Sequence, residues 1–359
     1  MSWLVTAGVC LSLIFLPFYV LKRFISSCFN RERSKDWKDV CQVAVFRFAG
    51  DCFALGRMKC KSTQENYMQW TRSTGLPYTV DAVPGIDDTK ILWIGPKRLQ
   101  KVLFYCHGKC GGYMISALAA QMNFYRYLQL ELEKRGVQVG VAMITYKLLP
   151  EHQFPTQLRQ ARDALDFLIR AGVHPRNIML AGESAGANLV IQTLSHILHR
   201  LPSVQPLILP TDQIFRGALL ISPWVSMTAD SKSSWSLLHA KYKYDILASR
   251  IIRLICKEVV RDIPETDTMF LDPVEAPKTW FDGLDDVVDR VLITYGEFEG
   301  FAPGIQLLCE KYLKPYHEDV MTLQQKDGVH GDPILKFIRK HRDLGDMVDG
   351  VISSVKLRL

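Results

Sequence analysis

The chain has 359 residues, 48% apolar and 23% charged, a balance that supports a packed core and argues against disorder. That length allows one large domain or two small ones. The net charge of +7 is not organised into a basic stripe interleaved with aromatic residues, which argues against a nucleic-acid partner.

The first feature in chain order is residues 3–21, 19 mostly apolar positions without a charge, close to the roughly 20 that cross a bilayer core as a helix. A cleaved signal peptide would place basic residues ahead of a shorter apolar core. Here Lys22, Arg23, Arg31, Arg33, Lys35 and Lys38 follow the run, where anionic lipid head groups would lie. The expectation is a single-pass membrane protein with one transmembrane helix in an N-terminal anchor, residues 1–28. The cationic flank favours a cytosolic place for the bulk of the chain. The lack of an Asn-x-Ser/Thr sequon and the odd count of nine cysteines fit a reducing compartment without excluding a lumenal one, so the side stays open.

Residues 36–75 carry helix-compatible spacing, and Gly75, Leu76 and Pro77 break it; residues 29–89 are expected to form a cap or linker region. From residue 90 to the end, short β-rich apolar runs alternate with longer amphipathic ones, the signature of an α/β fold on a mostly parallel sheet with helices on both faces. Strands are predicted over Val102–Cys106, 138–146, 178–181, Gly217–Ile221, 290–295 and 320–323. Helices are predicted over 157–171, 187–198, 244–260 and 334–340. Residues 225–289 form a long excursion between two strands, expected to act as a helical cap or lid.

Gly182-Glu183-Ser184-Ala185-Gly186 matches G-x-S-x-G, in which small residues let the chain turn sharply and expose a serine between a strand and a helix. The pentapeptide alone is weak, since it arises by chance in roughly one chain of this size in ten. Its context is stronger, because a buried-strand pattern precedes it and a helical pattern follows. That arrangement puts Ser184 and the Ala185 amide at a helix N-terminus, where developing negative charge is favoured. A second element, His107-Gly108-Lys109-Cys110-Gly111-Gly112-Tyr113, follows a predicted strand, and its glycines could offer amides to an oxyanion. A zinc site there would need more ligands nearby in sequence. His330, in a turn-rich loop after the last predicted strand, fits the Ser, acid, His chain order. The acid should come from the loop Gly296-Glu297-Phe298-Glu299-Gly300, where two glutamates compete.

These segments resemble the hormone-sensitive-lipase-like branch of the α/β-hydrolases, and within it the fungal steryl acetyl hydrolase type. YKLLPEHQFP at 146–155 is similar to the branch's Y-x-L-A-P-E-x-x-x-P block, and Ser222-Pro223-Trp224 to its S-P-W; the resemblance spans about residues 90–340. It implies an α/β-hydrolase catalytic domain, residues 90–359, with a triad of Ser184, Glu299 and His330. Glu299 takes the acid position by alignment with the family's G-x-x-E pattern. The implied oxyanion donors are Gly111, Gly112 and Ala185, with Gly108 the alternative because Lys109 and Cys110 interrupt the family's H-G-G-G.

The activity implied is removal of a short acyl group, an acetyl, from a lipophilic alcohol such as a sterol or terpenoid. The partner is then a lipophilic small-molecule ester, at a membrane such as the endoplasmic reticulum, and no metal or organic cofactor is implied. Two rivals share the fold: a receptor that binds without catalysis, and an acyltransferase using the same triad.

Overall fold

A computed structural model of the chain describes residues 2–30, 36–54, 61–85, 87–108, 112–227, 243–338 and 345–356. Eight strands form one sheet in the order β1-β2-β4-β3-β5-β6-β7-β8. They are β1 Val80–Ala82, β2 Lys90–Ile94, β3 Val102–Cys106, β4 Gly140–Ile144, β5 Ile178–Glu183, β6 Gly217–Ile221, β7 Val291–Gly296 and β8 Val320–Gln325. The pairs β1/β2 and β2/β4 are antiparallel, and every pair from β4 to β8 is parallel.

The central strands are buried on both faces, which explains their continuous apolar runs. In β3, Val102, Phe104 and Cys106 enter one core while Leu103 and Tyr105 enter the other, following the two-residue period of a strand. Helices α5 (Thr156–Arg170) and α6 (Ala185–His199) cover the first face with Leu158, Ala161, Leu165, Leu168, Leu189 and Val190. The second is covered by α3 (Thr63–Thr74), α4 (Ala119–Lys134) and the C-terminal helix Gly345–Lys356, through Tyr67, Trp70, Leu128, Leu132, Val351 and Val355.

The predicted strands all form, β3 and β6 with the predicted bounds and the others with shifted ends. The predicted helix over 244–260 is shorter, spanning Ser249–Val259, which we number α7. Residues 243–248 instead run as an irregular strap, because local partners replace the helical ladder. The Asp245 and Leu247 carbonyls accept from Arg47 Nη1, at 2.8 Å each, and the Asp245 carboxylate accepts from the next amide, Ile246 N–H, at 2.7 Å. Residues 228–242 of the expected lid lie outside the described residues.

At the N-terminus α1 (Ser2–Ser27) packs on α2 (Trp37–Ala54), with the Tyr19 and Phe48 rings 6.0 Å apart. Among the described residues no helix is long and apolar enough to cross a membrane, so the expected transmembrane helix finds no support there.

Candidate active site

Two glycines force the turn that carries Ser184. A Cβ on Gly186 would lie 2.0 Å from the Cys106 carbonyl oxygen, and one on Gly182 would lie 2.4 Å from the Gly186 carbonyl, both well inside contact distance. The elbow can close against β3 only because these positions lack side chains. Ser184 itself sits at φ 54°, ψ −119°, a conformation that costs an L-residue about 1–3 kcal/mol and persists where surrounding structure enforces it. Enforcement comes from both sides: Ser184 N–H donates to Ile221 O at 2.9 Å, and Trp224 N–H donates to Ser184 O at 3.2 Å.

The structure brings Glu299 and His330 together. His330 Nδ1 lies 2.8 Å from Glu299 Oε1, with both side chains buried. The other carboxylate oxygen, Oε2, accepts from Ser222 Oγ at 2.8 Å and Gly296 N–H at 2.9 Å. Three donors thus offset the desolvation of a buried carboxylate and fix its direction. An acceptor-only carboxylate places the imidazole proton on Nδ1 and leaves the Nε2 lone pair free to act as a base. The ring is further held by Phe301, edge-on at 5.1 Å, which in turn stacks on Trp224 at 5.9 Å.

Glu297 does something else: its amide donates to Gln325 O at 2.9 Å, and its carboxylate accepts from Asp327 N–H at 3.2 Å, bracing the strand ends beneath the histidine loop. Ser184 and His330 line one pocket with Phe46, Leu118, Ala120, Gln121, Ile246, Ile334, Leu335 and Ile338. It encloses about 450 Å³ of empty space, part of it open to solvent. Among the described residues no hydrogen bond joins Ser184 to His330; such contacts often tighten only when substrate binds.

Of the expected oxyanion donors, Ala185 opens α6 and carries its first-turn amide beside the serine. Gly112 begins the short turn Gly112–Met114, while Gly111, like Lys109 and Cys110, lies outside the described residues. The alternative, Gly108, is already committed, since its N–H donates to Glu183 Oε1 at 2.8 Å.

Glu183 is a site residue that motif reading passed over as the variable position of G-x-S-x-G. Its Oε1 also accepts from Tyr105 Oη at 2.9 Å and from Gln121 Nε2, while Oε2 is buried with no partner among the described residues. Burial pushes this carboxyl up to about 8, so it is protonated at neutral pH and ties the glycine loop to the elbow without adding charge. His107 is a structural neighbour, stacked on Tyr146 at 4.2 Å and 3.1 Å from Thr63 Oγ1 through Nε2; burial lowers its pKa to about 3 and keeps it neutral.

Two further residues were missed. Ser222, inside the recognised S-P-W, bridges the loops by also accepting from Gly331 N–H at 3.0 Å. Asp245 comes from the cap, and nothing in its local sequence marks it. Among the described residues no group of three or more His, Cys, Asp or Glu side chains is placed to hold a metal ion.

This sheet, elbow and buried acid–imidazole pair define the class: an α/β-hydrolase of the hormone-sensitive-lipase-like type. The family model described as steryl acetyl hydrolase matches residues 92–344, and the chain belongs to that family. It is 31% identical over 149 residues to an esterase of Acinetobacter venetianus, covering 42% of each chain. It is 29% identical over 249 residues to an acetyl-hydrolase of Streptomyces hygroscopicus, covering 67% of each. Among solved structures, the hormone-sensitive-lipase homologue EstE7 from a metagenome library superposes with a TM-score of 0.62 at 16% identity, over 89% of this chain and 98% of that one.

Proposed function

We propose that the protein is a serine ester hydrolase that removes a short acyl group, an acetyl, from a lipophilic alcohol such as a sterol or terpenoid. The observation that carries this reading is the buried Glu299–His330 pair at 2.8 Å opening on the pocket that holds Ser184. His330 Nε2 takes the Ser184 proton as the hydroxyl attacks the ester carbonyl, and Glu299 holds the ring and stabilises the imidazolium that forms. The Ala185 amide, together with Gly111 or Gly112, receives the oxyanion at the positive end of α6. Protonated His330 then delivers its proton to the departing alcohol. Water, activated by the same imidazole, releases the acid from Ser184.

The aliphatic and aromatic wall of Phe46, Leu118, Ile246, Ile334, Leu335 and Ile338 supports an apolar substrate. Membrane attachment through the N-terminal helix, at the endoplasmic reticulum, is the second part of the proposal. It is supported by Ile14, Phe18, Leu21 and Ile25, which lie exposed along one face of α1, followed by Lys22 and Arg23.

The test is labelling with a fluorophosphonate probe and hydrolysis of acetylated sterols and terpenoids by the full chain. Ser184→Ala is expected to abolish both while leaving the fold intact. Hydrolysis undiminished in purified Ser184→Ala protein would remove the serine mechanism.

A further inference from the structure

We propose that Asp245 is a positioning residue for the histidine: from the strap 243–248 its carboxylate grips the amides of two loops and sets His330 and Glu299 in one register. The proposal rests on the serine, histidine and glutamate roles given above. Asp245 Oδ1 accepts from His330 N–H at 2.9 Å and from Ile246 N–H at 2.7 Å, and Oδ2 accepts from Gly300 N–H at 2.8 Å. Gly300 directly follows Glu299, so one side chain holds the backbone beside the acid and the backbone of the base, although 55 and 85 residues separate it from those amides in sequence.

The strap is itself tied to α2, since Arg47 donates to the Asp245 and Leu247 carbonyls rather than to the carboxylate. Asp245 is fully buried, and among the described residues no cationic side chain is bonded to its carboxylate. A neutral side chain would cost less to bury than an unpaired carboxylate, but neither an amide nor a hydroxyl offers two acceptor oxygens, one for each loop. What the charge adds is field: when His330 becomes imidazolium in the reaction, a second carboxylate besides Glu299 is already in place to stabilise it. The charged and titratable groups tied to the ring's surroundings include Glu299 on Nδ1, Asp245 on the His330 amide, Arg47 on the strap carbonyls, and Glu183 lining the same pocket. Burial, together with the neighbouring Glu299 charge, pushes the Asp245 carboxyl up, while the His330 charge and the amides of Gly300 and His330 pull it part of the way back.

The experiment compares wild type, Asp245→Asn and Asp245→Glu as full chains, measuring kcat, KM and the pH profile of kcat/KM on an activated acetate ester. Folding is checked by circular dichroism, and active sites are counted with a fluorophosphonate. Asp245→Asn puts an amide NH2 where an acceptor is required and removes the charge. It is expected to lower kcat per folded molecule by about a hundredfold, the scale of a 1 Å misplacement, with KM little changed. The acid limb of the profile should move to lower pH, since a carboxylate beside the imidazolium has been removed. Asp245→Glu keeps the charge but displaces it, so kcat should fall while the acid limb stays near the wild-type position. Should Asp245→Asn fail to fold, the kcat of Asp245→Glu decides alone. Parental kcat and acid limb in a folded variant, or a loss seen only as fewer folded molecules, overturns the proposal. Failure of the probe to label wild type at Ser184 would instead overturn the serine mechanism, so the two failures are distinguishable.

Discussion

Glu183→Gln changes one atom group of a buried side chain and tests whether the carboxyl behind the nucleophile is neutral. A carboxyl with a raised folded-state pKa holds its proton more tightly folded than unfolded. Its contribution therefore favours folding below the ordinary value of 4.5 and is lost as pH climbs to about 8. Each pKa unit corresponds to about 1.4 kcal/mol, so about 4 kcal/mol of stability should disappear between pH 5 and pH 8 on account of this group.

Glutamine keeps an acceptor for Gly108, Tyr105 and Gln121, and places its NH2 at the Oε2 position, which has no partner among the described residues. It cannot ionise, so the pH-dependent loss should vanish in the variant. The assay is urea denaturation of both proteins, followed by fluorescence, at several pH values from 5 to 8. Wild type should weaken relative to Glu183→Gln as pH rises, and at pH 5 the two should be close. Parallel curves would mean that the three donors keep the carboxylate ionised throughout and would refute the reasoning.

The remaining predictions concern the acid, the elbow and the N-terminal helix. Glu299→Gln should lower kcat by about 10⁴, the benchmark for removing the acid of a serine triad. Glu297→Gln, which weakens a brace to the Asp327 amide, should cost far less; kinetics of both variants on one activated acetate ester checks the order, and equal losses would contradict the geometry. Gly186→Ala brings a methyl to 2.0 Å from the Cys106 carbonyl, so soluble folded protein should be lost, as read by circular dichroism and yield; a folded, active variant would show that the elbow can open. Removal of the chain before about residue 30 is expected to release the protein from carbonate-washed membranes; retention would point to another membrane contact.

The sequence determined much of this protein because the relevant signals are local. The parallel sheet is legible because strands buried on both faces need unbroken apolar runs, and β3 and β6 appear with the predicted bounds Val102–Cys106 and Gly217–Ile221. Ser184 is legible because a sharp elbow tolerates only small residues around it, a steric demand written into five consecutive positions. Strand β1 is not legible because three residues are too few for a period to register. Spacing also left Glu297 and Glu299 as rivals; family alignment chose Glu299, and in the folded chain only that carboxylate reaches His330 Nδ1.

Ser222, Glu183 and Asp245 became visible only in three dimensions. Each acts by hydrogen bonds to groups far away in the chain: Ser222 to Glu299 and Gly331, Glu183 to Gly108, Asp245 to Gly300 and His330. A side-chain pattern along the sequence records which face of a strand or helix is buried, because that is decided by neighbours a few residues away. It does not record which distant amide a buried carboxylate will meet, since that depends on how β5, β6, β7 and the cap converge at one end of the sheet. Only tertiary packing sets those distances, and with them the orientation of His330 and the protonation of Glu183.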